Sequence, residues 1–213
     1  MTDATTHAET LVRDDIAKVG KSLFDRGLTF GSTGNISVRL PEGGWLMTPT
    51  NASLGELNPA RLSRFDPAGR HIGGDKPTKE AVLHLAMYGE RADAGAVVHL
   101  HSTHSVAVSL LEGVDPADVL PPLTAYYVMR VGRLPLVPYG RPGDASLSEA
   151  VRERARTSHA LLLANHGPIV AAPTLAQAAA GAEEIEETAK LVLLTQGLPT
   201  RLLTDEQLRE LLD

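Results

Sequence analysis

Ile36-Ser37-Val38-Arg39-Leu40-Pro41-Glu42-Gly43-Gly44-Trp45-Leu46-Met47-Thr48 sets two short apolar runs around a Pro-Glu-Gly-Gly turn. The runs read as strands over 36–40 and 45–48, and so short a link makes them an antiparallel hairpin. Phe65-Asp66-Pro67-Ala68-Gly69-Arg70-His71-Ile72 repeats the arrangement. Buried strands are also predicted at 96–101, 134–138 and 161–164. Between the strands, helical spacing of apolar residues predicts helices over 9–26, closed by Gly27, and over 80–91, opening after Pro77-Thr78. An alanine-rich helix is predicted over 175–194 and a short one over 205–212, with residues 1–8 as a loose tail. Helices interleaved with hairpin-linked strands predict a layered α/β fold with a mostly antiparallel or mixed sheet. In the helix over 175–194, Glu183, Glu184, Glu186 and Glu187 predict a solvated acidic face, with Glu186 and Lys190 four apart.

The length of 213 residues suits one domain over 1–213, and no shift in composition marks a second. Hydrophobic residues make up 43% and charged residues 22%, which suits a packed core and argues against disorder. Lys and Arg total 20 against 26 Asp and Glu, for a net charge of -6. That balance argues against nucleic-acid and anionic-membrane partners, so a bound phosphate needs a local site. The chain has no cysteine, which excludes disulfides, cysteine-zinc modules and cysteine nucleophiles. A metal site must therefore use His, Asp or Glu. The polar first ten residues, with Asp3 and Glu9, are unlike a signal peptide, and no apolar run is long enough to span a bilayer. A soluble cytoplasmic protein is expected.

The densest chemistry lies in Val97-Val98-His99-Leu100-His101-Ser102-Thr103-His104. Side chains alternate along a strand, so His99 and His101 point the same way, as half of a metal site or as a pair of structural histidines. His166, where the strand over 161–164 enters a glycine turn, tips the balance toward a metal: three imidazoles and an open position describe a catalytic divalent-metal site. His104 leaves the strand face and is expected beside the site rather than as a ligand. His7, His71, His84 and His159 are isolated and read as structural. Glu80, at a helix start, serves either as a cap or, near a metal, as a proton carrier to carbon. Gly34-Asn35-Ile36-Ser37, Thr48-Pro49-Thr50-Asn51 and Pro77-Thr78-Lys79 are polar turns that would form an anion nest if they converged.

These segments, taken in order, resemble the class II aldolase/adducin family, which includes L-fuculose-phosphate and L-ribulose-phosphate enzymes. The likeness runs from about Leu11 to Gly197 and rests on Gly34-Asn35-Ile36-Ser37, Met47-Thr48-Pro49-Thr50, Glu80, His99-Leu100-His101, Pro138-Tyr139 and Asn165-His166-Gly167. Within the family, residues 101–107 and 121–127 look most like the 3-oxo-tetronate 4-phosphate decarboxylases. The resemblance implies a three-layer α/β/α sandwich, assembled as a homotetramer with active sites between subunits. It implies Zn2+, or another divalent ion such as Mn2+ or Co2+, on His99, His101 and His166, with Glu80 as acid/base. Asn35, Thr50, Asn51, Thr78 and Lys79 fall on phosphate-binding positions, and Tyr126 or Tyr127 is a catalytic donor to the substrate's far end. Thr78-Lys79-Glu80 replaces the aldolases' usual Ser-Ser-Glu, and Thr50-Asn51 their Thr-Gly; Lys79 suits a substrate with an extra carboxylate. The implied reaction is decarboxylation of a sugar-acid phosphate, 3-oxo-tetronate 4-phosphate, to dihydroxyacetone phosphate through an enediolate held by the metal. The alternatives are a sugar-phosphate aldolase or epimerase, and a non-enzymatic adducin-like module.

Overall fold

The computed structural model describes residues 2–212, with side chains from His7 onward. Its sheet comprises β1 (Asn35–Arg39), β2 (Trp45–Met47), β3 (Ser63–Phe65), β4 (His71–Gly73), β5 (Ala96–His99), β6 (Leu136–Val137), β7 (Ala160–Leu163) and β8 (Gly167–Ala172). The spatial order is β4-β3-β2-β1-β5-β8-β7-β6. Both predicted hairpins are present, and β2 also pairs with β3, so residues 35–73 form an antiparallel meander. The β6–β7 pair is parallel, which makes the sheet mixed.

Alternation along the central strands sorts the core into two layers. On one face Val97, Leu161, Leu163 and Ile169 pack against α2 (Ala81–Glu90) and α5 (Ala145–Ala155). On the other, Ile36, Val98, Leu162 and Val170 pack against α1 (Thr2–Asp25) and α6 (Leu175–Leu194). Helices α3 (Thr103–Ser109) and α4 (Ala125–Arg130) join this second layer, and α7 (Asp205–Leu212) follows α6. The result is the expected α/β/α sandwich. Asn35 lies opposite His99 and Ser37 opposite Val97, so all four side chains face the α2 layer.

Several expectations need correction. Helix α1 reaches back to Thr2, so the tail expected at 1–8 is helical from residue 2, and Met1 lies outside the described residues. The sequence there has no Gly or Pro to stop a helix propagating from its packed portion. Strand β8, the longest of the sheet, was not predicted because it opens with Gly167-Pro168, a pair that reads as a turn. Helices α3, α4 and α5 are likewise additions.

Glu186 is not on a solvated face. It lies on the inward side of α6, one turn beyond Ala182, and is 6% exposed. Its carboxylate accepts from the His104 and Ser105 backbone N–H groups at 3.0 and 2.8 Å, from the Ser105 hydroxyl at 2.6 Å and from His104 Nδ1 at 2.8 Å. Lys190 pairs instead with Glu187. Burial pushes the Glu186 pKa up, but the Ser105 hydroxyl and the two backbone N–H groups outweigh it, leaving the pKa lowered. A lowered folded-state pKa means stability present at neutral pH and lost as pH falls below the ordinary carboxylate range, about 4.3. Glu186→Ala should cost about 3 kcal/mol at pH 7 by orphaning these donors, lowering Tm by roughly 6–12 °C. Thermal denaturation at pH 7 and pH 3.5 should show the deficit shrinking at the lower pH; an undiminished gap would contradict the titration assigned to Glu186.

Candidate metal centre

Strand β5 ends at His99, two residues short of the expected span, yet His101 still meets it. The reason lies in the β7–β8 hairpin. Asn165 adopts φ 59° at its tip, a left-handed conformation that asparagine tolerates, and Gly167 has φ 148°. A Cβ on Gly167 would lie 2.2 Å from the Leu100 carbonyl oxygen. Only glycine lets the hairpin close so tightly on the segment after β5, and this approach brings His166 to His101.

The Nε2 atoms of the three histidines lie 3.1 Å (His99–His101), 3.3 Å (His99–His166) and 3.1 Å (His101–His166) apart. A tetrahedron with metal–nitrogen bonds of about 2.0–2.1 Å has edges of about 3.3–3.4 Å, so the spacing fits a divalent ion. The ring chemistry fits too. His99 Nδ1 lies 2.8 Å from the Pro168 carbonyl oxygen, which can only accept, so Nδ1 carries the proton and Nε2 presents a lone pair to its neighbours. Burial lowers the His99 pKa to about 4 despite the opposing pull of Glu80. Burial, reinforced by the other two imidazoles, lowers that of His101 to about 3. Both rings are therefore neutral at neutral pH, the form that could bind a metal ion.

Glu80 completes the group, with all four ligand atoms within 4.8 Å of one another. It precedes α2 but its side chain makes no capping bond; the Thr78 hydroxyl accepts from the Glu80 N–H instead. One carboxylate oxygen lies 2.8 Å from His166 Nε2, and the other 3.4 Å from His99 Nε2. Burial alone would raise its pKa; positive charge on His99 or His166 would lower it, and the Asn35 amide, donating to one carboxylate oxygen, favours the ionised form even with the rings neutral. Glu80 is an anion at rest.

The three polar turns do converge. Thr48 Oγ1 accepts from the Ile36 N–H, the Thr78 N–H donates to the Thr48 carbonyl, and the Thr50 N–H donates to the Lys76 carbonyl. Asn35, expected as an anion contact, is turned inward: its Nδ2 donates to Glu80 at 2.7 Å and its Oδ1 lies 2.5 Å from His84 Nε2. Thr50 and Asn51 line a cavity of about 260 Å³, and Lys79 shares another of about 690 Å³ with Arg141. A third cavity, about 480 Å³, opens on the histidines and is lined by Phe30, His101, Tyr139, Pro142, Asn165 and His166.

The tyrosine expectation divides. Tyr127 is fully buried among apolar side chains, and its hydroxyl has no hydrogen-bond partner among the described residues, so it is a core residue and not a donor to substrate. Tyr126 is exposed on α4, with the Arg130 guanidinium 5.1 Å from its ring centre, and does not line the histidine cavity. Tyr139 does line it. His104 is tied to Glu186, outside the histidine cluster. His84, read from sequence as structural, is bonded to Asn35 and Ser37. Its signal was available: four residues after Glu80, it lies one helical turn on, toward the strand face that carries Asn35 and Ser37.

The fold thus brings three imidazoles and a carboxylate into one group that could hold a metal ion, the mark of a metal-dependent enzyme class. Residues 14–193 match the Class II Aldolase and Adducin N-terminal domain, and the chain belongs to that family. It is 48% identical to the 3-oxo-tetronate 4-phosphate decarboxylase of Haemophilus influenzae, over 92% of this chain and 93% of that one. Identity to the L-fuculose phosphate aldolase of Escherichia coli is 36%, over 88% and 86%. The crystal structure of YgbL from Escherichia coli superposes with a TM-score of 0.94 at 45% identity, covering 96% of this chain and 99% of that one.

Proposed function

We propose that this chain is a divalent-metal-dependent carboxy-lyase that converts 3-oxo-tetronate 4-phosphate to dihydroxyacetone phosphate and carbon dioxide. Metal-assisted carbon–carbon lyase chemistry, common to this reading and the aldolase one, is supported above all by the convergence of the three Nε2 atoms and the Glu80 carboxylate. The substrate is supported by the greater identity to the decarboxylase than to the aldolase. His99, His101 and His166 would hold the metal, for which we propose zinc. When bound, it supplies Lewis acidity at the substrate's C3 carbonyl, where the electron pair freed by loss of carbon dioxide collects.

The chain's own groups do the rest. Glu80, pinned by Asn35 and facing the imidazoles, carries a proton to C2 in place of the departing carboxylate. Because it rests as an anion, that proton first enters from solvent. The turns bearing Thr50, Asn51, Thr78 and Lys79 are proposed to take the phosphate, with the Lys79 ammonium available to an anionic substrate. On this reading one domain over 1–213 assembles as a homotetramer in the cytoplasm, and Tyr126, exposed on α4, reaches a neighbouring subunit's site.

The second reading, a sugar-phosphate aldolase, uses the same metal and the same carboxylate and is favoured by the 36% identity to the fuculose enzyme. Supplying 3-oxo-tetronate 4-phosphate and L-fuculose 1-phosphate in parallel, and following carbon dioxide and aldehyde release, separates them. Carbon dioxide from the first and no aldehyde from the second is expected. Aldehyde without carbon dioxide would replace the decarboxylase reading with the aldolase one.

A further inference from the structure

Behind Glu80 lies a file of buried polar groups that no step of the chemistry uses directly. Glu80 Oε2 is 2.7 Å from Asn35 Nδ2, Asn35 Oδ1 is 2.5 Å from His84 Nε2, His84 Nδ1 is 2.7 Å from Ser37 Oγ, and Ser37 Oγ is 3.0 Å from the Tyr88 hydroxyl. Asn35, Ser37, His84 and Tyr88 are each no more than 5% exposed. They come from two elements only, β1 and α2.

With a neutral His84 ring, the direction of every bond follows from the first. A carboxylate only accepts, so Asn35 presents its NH2 to Glu80; the flipped amide would set oxygen against oxygen. Asn35 Oδ1 then only accepts, so His84 donates from Nε2. The ring is neutral, since burial lowers its pKa to about 4 against the raising effect of Glu80. Its one proton is therefore spent at Nε2, and Nδ1 accepts from the Ser37 hydroxyl. Ser37 Oγ in turn accepts from Tyr88. The file runs one way, from Tyr88 to Glu80, with no choice left at any link.

We infer that His84 is a positioning residue: as the Nε2–H tautomer it fixes the Asn35 amide, which in turn holds Glu80 Oε2 and leaves Oε1 aimed at the metal centre. This inference rests on the reading of Glu80 as proton carrier. Without the file, Asn35 is free to rotate and the carboxylate loses the bond that fixes one of its oxygens. Turnover then suffers, while substrate affinity, set by other groups, does not.

Two amide substitutions separate this role from simple core filling. In Gln the amide nitrogen reaches about where His Nε2 lies, whereas in Asn it reaches only the Nδ1 position. His84→Asn should therefore keep one metal per chain and a KM within about threefold, with kcat down about 10- to 100-fold, the usual loss when a supporting partner of a metal site is removed. His84→Gln should restore kcat to within about threefold of wild type. In the 15N-labelled wild-type protein, ring shifts should report His84 protonated at Nε2. The inference is overturned by His84→Asn at the wild-type rate, by folded His84→Gln as slow as His84→Asn, or by an Nδ1–H ring. Should neither variant fold, the tautomer alone decides. A slow Glu80→Gln enzyme beside a fast His84→Asn enzyme would remove only the His84 inference, whereas Glu80→Gln at full rate would remove the proton carrier itself.

Discussion

His101→Ala should abolish metal binding and activity together. His101 supplies one of three Nε2 atoms lying within 3.3 Å of one another, and its loss leaves two imidazoles where a catalytic site needs three protein ligands. Lewis-acid stabilisation is worth several kcal/mol, and each 1.36 kcal/mol is a tenfold change, so kcat/KM should fall by about three orders of magnitude or more. The fold should survive, since His101 lies beyond the end of β5 and only its side chain is shortened. Elemental analysis of the purified variant beside wild type, with circular dichroism as the control for folding, checks this. A folded variant that turns over normally with no metal would overturn the assignment of His99, His101 and His166.

Glu80→Gln should do the reverse, sparing the metal and stopping the proton. Glutamine keeps the shape and can still accept from Asn35 Nδ2, but it cannot shuttle a proton at the pH of the reaction. Loss of a positioned general acid–base group costs about 10²–10⁴-fold, and this loss should fall on kcat. Metal content should remain near one per chain, and KM should shift little because the Thr50 and Thr78 turns are untouched. Steady-state kinetics on metal-replete enzyme measure both parameters. An unaltered rate would reduce Glu80 to a residue that merely begins α2, a role already disfavoured by its lack of a capping bond.

The two hairpins, the long helix α6 and the mixed sheet were legible because short-range chemistry determines them. Turn residues between alternating apolar runs leave few other options, and the 175–194 periodicity spans the helix end to end. The histidines were legible as residue types: with no cysteine in the chain, a metal could be held only by His and carboxylates. Strand β8 was hidden because Gly167-Pro168 is locally a turn signal. Its pairing is determined by β5 and β7 on either side, which no local window contains.

What the sequence alone determined is thus the inventory: which segments alternate, which are helical, and which side chains can ligate or carry protons. Tertiary structure decided their partners. It made Glu186 a buried acceptor for the start of α3 instead of a solvated charge, placed Tyr127 in the core, and set the Asn35 amide against Glu80. It also drew His84 from the structural histidines into the support of the site. For Glu186, Asn35 and His84 the physical reason is the same. A polar group's role depends on which donor or acceptor stands within about 3 Å once water is excluded, and those neighbours come from segments 45 to 82 residues apart in the chain.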